Sequence, residues 1–253
     1  MTPGAAALLA AAGLTAGAVN SIAGGGTLIT FPALLAIGVG PVAANITSSV
    51  GLLSGYLGGS IGYRNELAGQ GRRIRALLLV GVLGGLTGAV VLLLTPASAF
   101  DAAVPILILI SCALLAAQPA LARLVAARRS THPSGSDASW TVRAGVFASA
   151  VYGTYFGAGL GVLLLAVLGI LVHDELQRLN ALKGLLSLVV NIVGVLVFIS
   201  SGRVVWAAAG ILCIGAYTGG LLGVRLARRL PSHVLRAGVI LLGTCVAVTL
   251  LLT

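Results

Sequence analysis

The sequence predicts an all-α polytopic membrane protein. It reads as an inverted repeat of two five-segment halves, each a broken short-helix pair followed by three full spans. Composition, the recurrence of apolar runs and the placing of arginine carry that prediction. The 253 residues are 58% hydrophobic with a further 36 glycines, and only 8% are charged. Soluble domains carry roughly 25% charge, so a soluble globular protein and a disordered chain are both excluded. The apolar runs do not alternate, which excludes a transmembrane β-barrel. The three cysteines, Cys112, Cys213 and Cys245, lie inside apolar runs without metal-ligand spacing and read as small packing residues. The start, MTPGAAALLAAAG, lacks a basic leader and reads as the first membrane segment.

In order, the apolar runs are Gly4 to Ala23, Gly26 to Gly38, Val42 to Tyr63, Ile74 to Leu94, Ala103 to Leu121, Val142 to Val172, Leu179 to Ser200, Val204 to Val224 and Val234 to Leu252. Arginine clusters in three connections: Arg64, Arg72, Arg73 and Arg75; Arg123, Arg128, Arg129 and Arg143; Arg225, Arg228, Arg229 and Arg236. The positive-inside rule makes all three cytoplasmic. Two runs separate the first cluster from the second, which returns the chain to the same side. Three runs separate the second from the third, so one must be double. Val142 to Val172 is about 46 Å as straight helix, and Gly153, Gly157, Gly159 and Gly161 break it into a pair that returns to the cytoplasmic side. Gly24-Gly25-Gly26 breaks the first stretch likewise and puts the N-terminus outside; the last run, leaving the third cluster, puts the C-terminus outside too. The net charge of +10 is then an orientation signal rather than a nucleic-acid patch: thirteen arginines fall inside, Arg203 falls outside, and Lys183 falls within the membrane.

An offset of 135 residues aligns Ala23 with Ala158, Gly24 with Gly159, Gly26 with Gly161, Leu28 with Leu163 and Asn45 with Asn180. The predicted organisation is a first transmembrane repeat over 1–126, a cytoplasmic linker over 127–141, and a second repeat over 142–253.

Glycine-interrupted short segments at matching positions of two inverted halves point to a transporter's binding site. A helix that starts within the membrane turns unpaired N–H groups and its positive dipole end toward the substrate, which favours an anion. The plainer reading of the glycines is close helix packing. Lys183, the single lysine, lies in an apolar run, and a charge there marks a functional site by default. Near a helix start it could instead snorkel to the interface. Opposite it under the repeat offset is Ser48, in Asn45-Ile46-Thr47-Ser48-Ser49. These side chains either cap the helix or donate to a bound oxyanion. Asn191 follows Lys183 by two turns and shares its face; its plainer role is an interhelical hydrogen bond.

The acids Glu66, Asp101, Asp137, Asp174 and Glu175 all lie in or beside connections. His132 is in the linker, and His173 and His233 are at cytoplasmic ends. The expectation is transport that is uncoupled, or coupled through Asp174 and Glu175. No nucleotide-binding loop, nucleophile–base set or HExxH motif is present, so neither an enzyme nor a cofactor is expected.

GAVNSIAGGGTLITFPALLAIGV followed by AANITSSVGLLSGYLGGSIGYR resembles the N-terminal half of the TauE/SafE sulfite exporter family, also called the toluene sulfonate uptake permease family. LNALKGLLSLVVNIVGVLVFISSGRVVWAAAG followed by GGLLGVRLARRLP is similar to its C-terminal half. The pairing of GGG-x5-P, Gly24 to Pro32, with LKxLLSLVVN, Leu182 to Asn191, is what makes the resemblance specific. It implies a transporter for small anions, often sulfur-containing, in a bacterial-type plasma membrane. One departure stands out: Val167 occupies the place of a proline that family members often carry in the second glycine-rich motif. That substitution implies a second half that binds less of the substrate or is more continuous.

The expected substrate site is Gly24, Gly25, Gly26, Asn45, Thr47 and Ser48 from the first half, with Gly159, Gly161, Asn180, Lys183 and Asn191 from the second. The expected partners are a small anion and the lipid bilayer, with no nucleic acid; a homo-oligomer is left open. A passive anion channel is the alternative function.

Overall fold

The computed structural model describes residues 1–22, 24–62, 64–128, 139–172, 174–226 and 232–252. Ten α-helices run through them, with no strand among the described residues: α1 (Pro3–Ile22), α2 (Thr27–Ala36), α3 (Pro41–Gly62), α4 (Gly71–Leu94), α5 (Ala97–Arg128), α6 (Trp140–Phe156), α7 (Leu160–Leu171), α8 (Leu176–Ser200), α9 (Trp206–Leu226) and α10 (Ser232–Leu252). A short 3₁₀ turn, Arg64–Leu67, precedes α4. Proline opens α1 and α3, where its missing N–H costs nothing. The Ser139 hydroxyl caps α6 by accepting from the Val142 N–H. Segments of α1, α4, α5 and α8 are long and apolar enough by themselves to cross a membrane.

Both expected breaks are present. The first pair is unequal rather than uniformly short: α1 has 20 residues and α2 has 10, about 30 Å and 15 Å. In the second pair α6 has 17 residues and α7 has 12. Helix also enters the expected 127–141 linker from both sides, since α5 reaches Arg128 and α6 begins at Trp140. Residues 129–138 of that linker, with His132 and Asp137, lie outside the described residues, as do Ala23, Arg228, Arg229 and His173.

Glycine notches set the packing, because a missing side chain lets two backbones approach. A methyl group on Gly13 would meet the Leu212 carbonyl at 2.9 Å, and one on Gly17 the Ala216 carbonyl at 2.2 Å, so α1 lies parallel to α9. Gly51 faces Leu212 and Gly55 faces Ala216, which lays α3 along the same helix in the same direction. Gly84 faces Phe147 and Ala150, and Gly88 faces Val151, so α4 lies parallel to α6. Gly81 and Gly85 seat Leu186 and Val190 of α8. The molecule therefore contains one layer of α1, α3 and α9 and a second layer of α4, α6 and α8, meeting where α3 packs on α8. Each layer borrows one helix from the other half of the sequence. Helices α5 and α10 pack together on the flank, where Cys112 fills the notch at Gly243.

The layers run in opposite directions. Met1, Ile37, Val39 and Val205 line one groove, and Pro41, Leu94, Asp101 and Arg203 line another, so these residues share one end of the bundle. Arg73, Asp174 and Arg178 meet at the other end. Helices α3, α4 and α5 begin at residues 41, 71 and 97, and α8, α9 and α10 begin 135 residues later in each case.

Candidate functional site

The first break is held by its own helix. Gly24 and Gly25 take φ of +79° and +93°, conformations that cost an L-residue roughly 1–2 kcal/mol. The Gly26 N–H then donates to Asn20 Oδ1 at 2.8 Å, so α1 caps the start of α2. A methyl group on Gly26 would fall 2.7 Å from the Ala16 carbonyl oxygen and 2.9 Å from the Asn20 amide. This turn accepts no side chain there.

The second break is held by the rest of the molecule. Gly157 and Gly159 take φ of +77° and +89°. The Asn45 amide of α3 donates to the Tyr155 carbonyl at 2.8 Å, and the Ser111 hydroxyl of α5 donates to the Ala158 carbonyl at 3.2 Å. These bonds satisfy carbonyls that the interrupted helix leaves without partners. The Tyr152 hydroxyl joins Ser111 at 2.8 Å. The pair folds back as a hairpin, with Gly153 against Leu160 and Gly145 against Val167. Val167 therefore fills a notch in α6, and the second break persists without proline. The expectation of a more continuous second half is corrected on this point.

The breaks meet. A methyl carbon on Gly24 would lie 3.9 Å from Gly161 Cα, and one on Gly161 would lie 3.9 Å from Cδ and Cε of Lys183. The Lys183 stem thus crosses the start of α7, half-buried, and no hydrogen bond or ion pair joins it to another described residue. Gly157 sits near the Thr27 and Ser49 hydroxyls, 3.3 Å and 3.6 Å from where its methyl would be. Gly24, Gly161 and Lys183 are accordingly brought together, with Gly25, Gly26 and Gly159 in the adjoining turns.

Other expected residues hold the frame. Asn45 supports the second break. The Ser48 hydroxyl pairs with Thr30 of α2 and fixes the first hairpin to α3. The Thr47 hydroxyl accepts the Val205 N–H at the start of α9. Asn180 is half-buried in the opening turns of α8. The Asn191 amide donates to the Ser187 carbonyl at 2.8 Å. Sequence reasoning missed Asn20, Tyr56 and Ser187. Asn20 was findable: it is the last polar side chain but one before the glycine triplet in an apolar run. The Tyr56 phenol lies beside the Asn191 and Asn20 amides, a juxtaposition of three helices that no local pattern signals.

The two ends of the bundle carry different chemistry. At the arginine end, buried Arg73 pairs with Asp174, which also pairs with Arg178 at 3.1 Å. Gln70 ties the same place together, accepting from Arg73 and donating toward the Arg178 carbonyl. Burial alone would raise the Asp174 carboxyl. The Arg73 hydrogen bond, the Glu175 N–H and the two arginine charges outweigh that and hold it below the usual carboxylate value. It stays ionised near neutral pH in this arrangement. Toward the opposite end, Phe31, Phe100, Tyr155 and Phe156 form an aromatic cluster with ring centroids 5.6 to 6.5 Å apart.

Apolar helices, two interrupted pairs meeting in the interior and one lysine at the crossing define an α-helical membrane transporter of the discontinuous-helix kind. The family model for sulfite exporter TauE/SafE matches residues 9–250. The chain belongs to the TauE/SafE family. It is 26% identical over 239 residues to the "Probable membrane transporter protein YfcA" of Escherichia coli (strain K12), covering 94% of this chain and 86% of that one. It is 25% identical to a "Probable membrane transporter protein" of Haemophilus influenzae, covering 93% and 90% of the two chains. A further relative, "Probable membrane transporter protein ORF9" of Sinorhizobium sp, is 25% identical with coverage of 97% and 92%. No solved structure gives a significant match.

Proposed function

We propose that this transporter moves a small anion, a sulfur oxoanion, organosulfonate or small organic acid, across a bacterial-type plasma membrane, without catalysing a reaction. The observation that carries the reading is the crossing of the two breaks beneath Lys183. A cation there, unpaired among the described residues, attracts an anion. Backbone N–H groups of the interrupted helices and nearby hydroxyls replace part of its hydration.

The halves, 1–126 and 142–253, are proposed to be inverted repeats. The shared 135-residue offset of three helix starts supports this, as does the exchanged packing of α1 on α9 and α6 on α4. The arginine end is proposed to face the cytoplasm, with both termini outside.

The test is uptake of a radiolabelled sulfonate and of sulfite into proteoliposomes. Wild-type protein should accumulate at least one of them, and Lys183→Ala and Lys183→Glu should reduce flux tenfold or more at equal reconstitution. Undiminished flux in both variants overturns the role of Lys183. Single-channel currents in a planar bilayer would overturn the transporter reading in favour of a channel.

A further inference from the structure

We propose that the crossing binds a singly charged oxoanion, held by Lys183 and by neutral donors from Asn20, Tyr56, Ser187 and Asn191. This deepens the anion reading above and rests on it.

Lys183, Ser187 and Asn191 recur every four residues along α8 and share one face. Ser187 is only 2% exposed, and its hydroxyl has no hydrogen-bond partner among the described residues. Helical hydroxyls normally return to the carbonyl four residues back. Thr15, Ser49 and Thr218 all do so in this chain. Ser187 does not, and its O–H is held in reserve. Asn20 repeats the pattern across the layer boundary. Its oxygen is taken by the Gly26 N–H, which leaves its buried amide nitrogen as a donor beside the Tyr56 phenol. Buried, unmade hydrogen bonds are costly and rare. The Ser187 hydroxyl, one turn along the same helix face from Lys183, marks where a ligand completes one. The Tyr56 phenol lies beside both Asn20 and Asn191 and closes the ring from α3.

Charge sets the ligand's valence. Lys183 supplies the formal charge of this ring, and the acids of the chain lie in or beside connections. A monoanion is neutralised here. A dianion would leave one desolvated charge unmatched. Several neutral donors spread over three helices suit an oxygen-rich head group with several acceptors better than a monatomic halide.

Methanesulfonate and sulfate present similar tetrahedral heads that differ by one charge. Their binding to purified full-length protein in detergent is measured by calorimetry, with acetate as a third probe. Methanesulfonate should bind at least tenfold tighter than sulfate. Tyr56→Phe and Ser187→Ala, each removing one hydroxyl, should weaken it roughly tenfold, the worth of one hydrogen bond to a charged group. Sulfate binding as tightly as methanesulfonate overturns the valence assignment. Wild-type affinity in both hydroxyl variants overturns the ring. Binding of none of the three probes overturns the anion reading itself, and this inference with it.

Discussion

The two helix breaks look alike in sequence and are built in different ways. The first is self-sufficient: Asn20 of α1 caps α2 across its own turn, and Gly26 is pressed against Ala16 two turns back. The second has no such device. Its loose carbonyls at Tyr155 and Ala158 are satisfied by Asn45 and Ser111 from the first half. One break is thus a local fold, and the other is a socket formed only when α3 and α5 are in place.

That contrast can be broken most violently at Gly26. Gly26→Val drives a side chain into the Ala16 backbone carbonyl. It should cost about 3 kcal/mol or more, seen as loss of a monodisperse peak and a collapsed melting temperature in detergent. Asn45→Leu comes next. It strips the second break of its first-half donor and leaves the Tyr155 carbonyl buried, costing about 1–3 kcal/mol. Proteolysis should then open the α6–α7 turn before the α1–α2 turn; equal susceptibility of both turns would count against the socket.

Asp174→Asn tests the ion-pair cluster at the arginine end, outside either break, and should cost about 2 kcal/mol near neutral pH. The sign with pH follows from the lowered carboxyl. The pair's contribution is fully present above the ordinary value of 3.8 and is lost as pH falls below it through the depressed value. Wild-type and variant melting temperatures should therefore converge on acidification and stay apart at neutral pH. The smallest effect is expected at Gly161→Ala. Its methyl meets Lys183 only at 3.9 Å, so stability should stay within about 1 kcal/mol of wild type. A large loss there would mean that the crossing is a packing seam rather than a ligand site.

The helices and both breaks were legible because lipid imposes long apolar runs and arginine marks the turning points. Counting crossings between arginine clusters was enough to require a hairpin at Val142 to Val172. Partner choice was not legible. The pairing of α4 with α6, and of α1 with α9, is decided by which glycine faces which ridge, and the pairs Gly84–Phe147 and Gly17–Ala216 are far apart in sequence. At the site, Lys183 stood out because charge in an apolar run has one reading by default. Thr47 is ambiguous for a physical reason: a hydroxyl near a helix start serves a ligand or a backbone N–H equally well, and here its oxygen accepts the Val205 N–H. Ser187 was passed over because a serine within a helix is ordinary until its usual carbonyl partner is found unused.

The exchange of α4 and α9 between layers has a consequence for synthesis on the ribosome. The notches at Gly13 and Gly17 of α1 are filled by α9, a helix translated roughly 200 residues later, or on the order of 10–40 s at ordinary elongation rates. For that interval α1 must wait in the bilayer with its packing groove occupied by lipid or by an insertion factor. The first half is thus inserted early and assembled late, and a chain truncated before α9 should be cleared by membrane quality control rather than persist as a half-transporter.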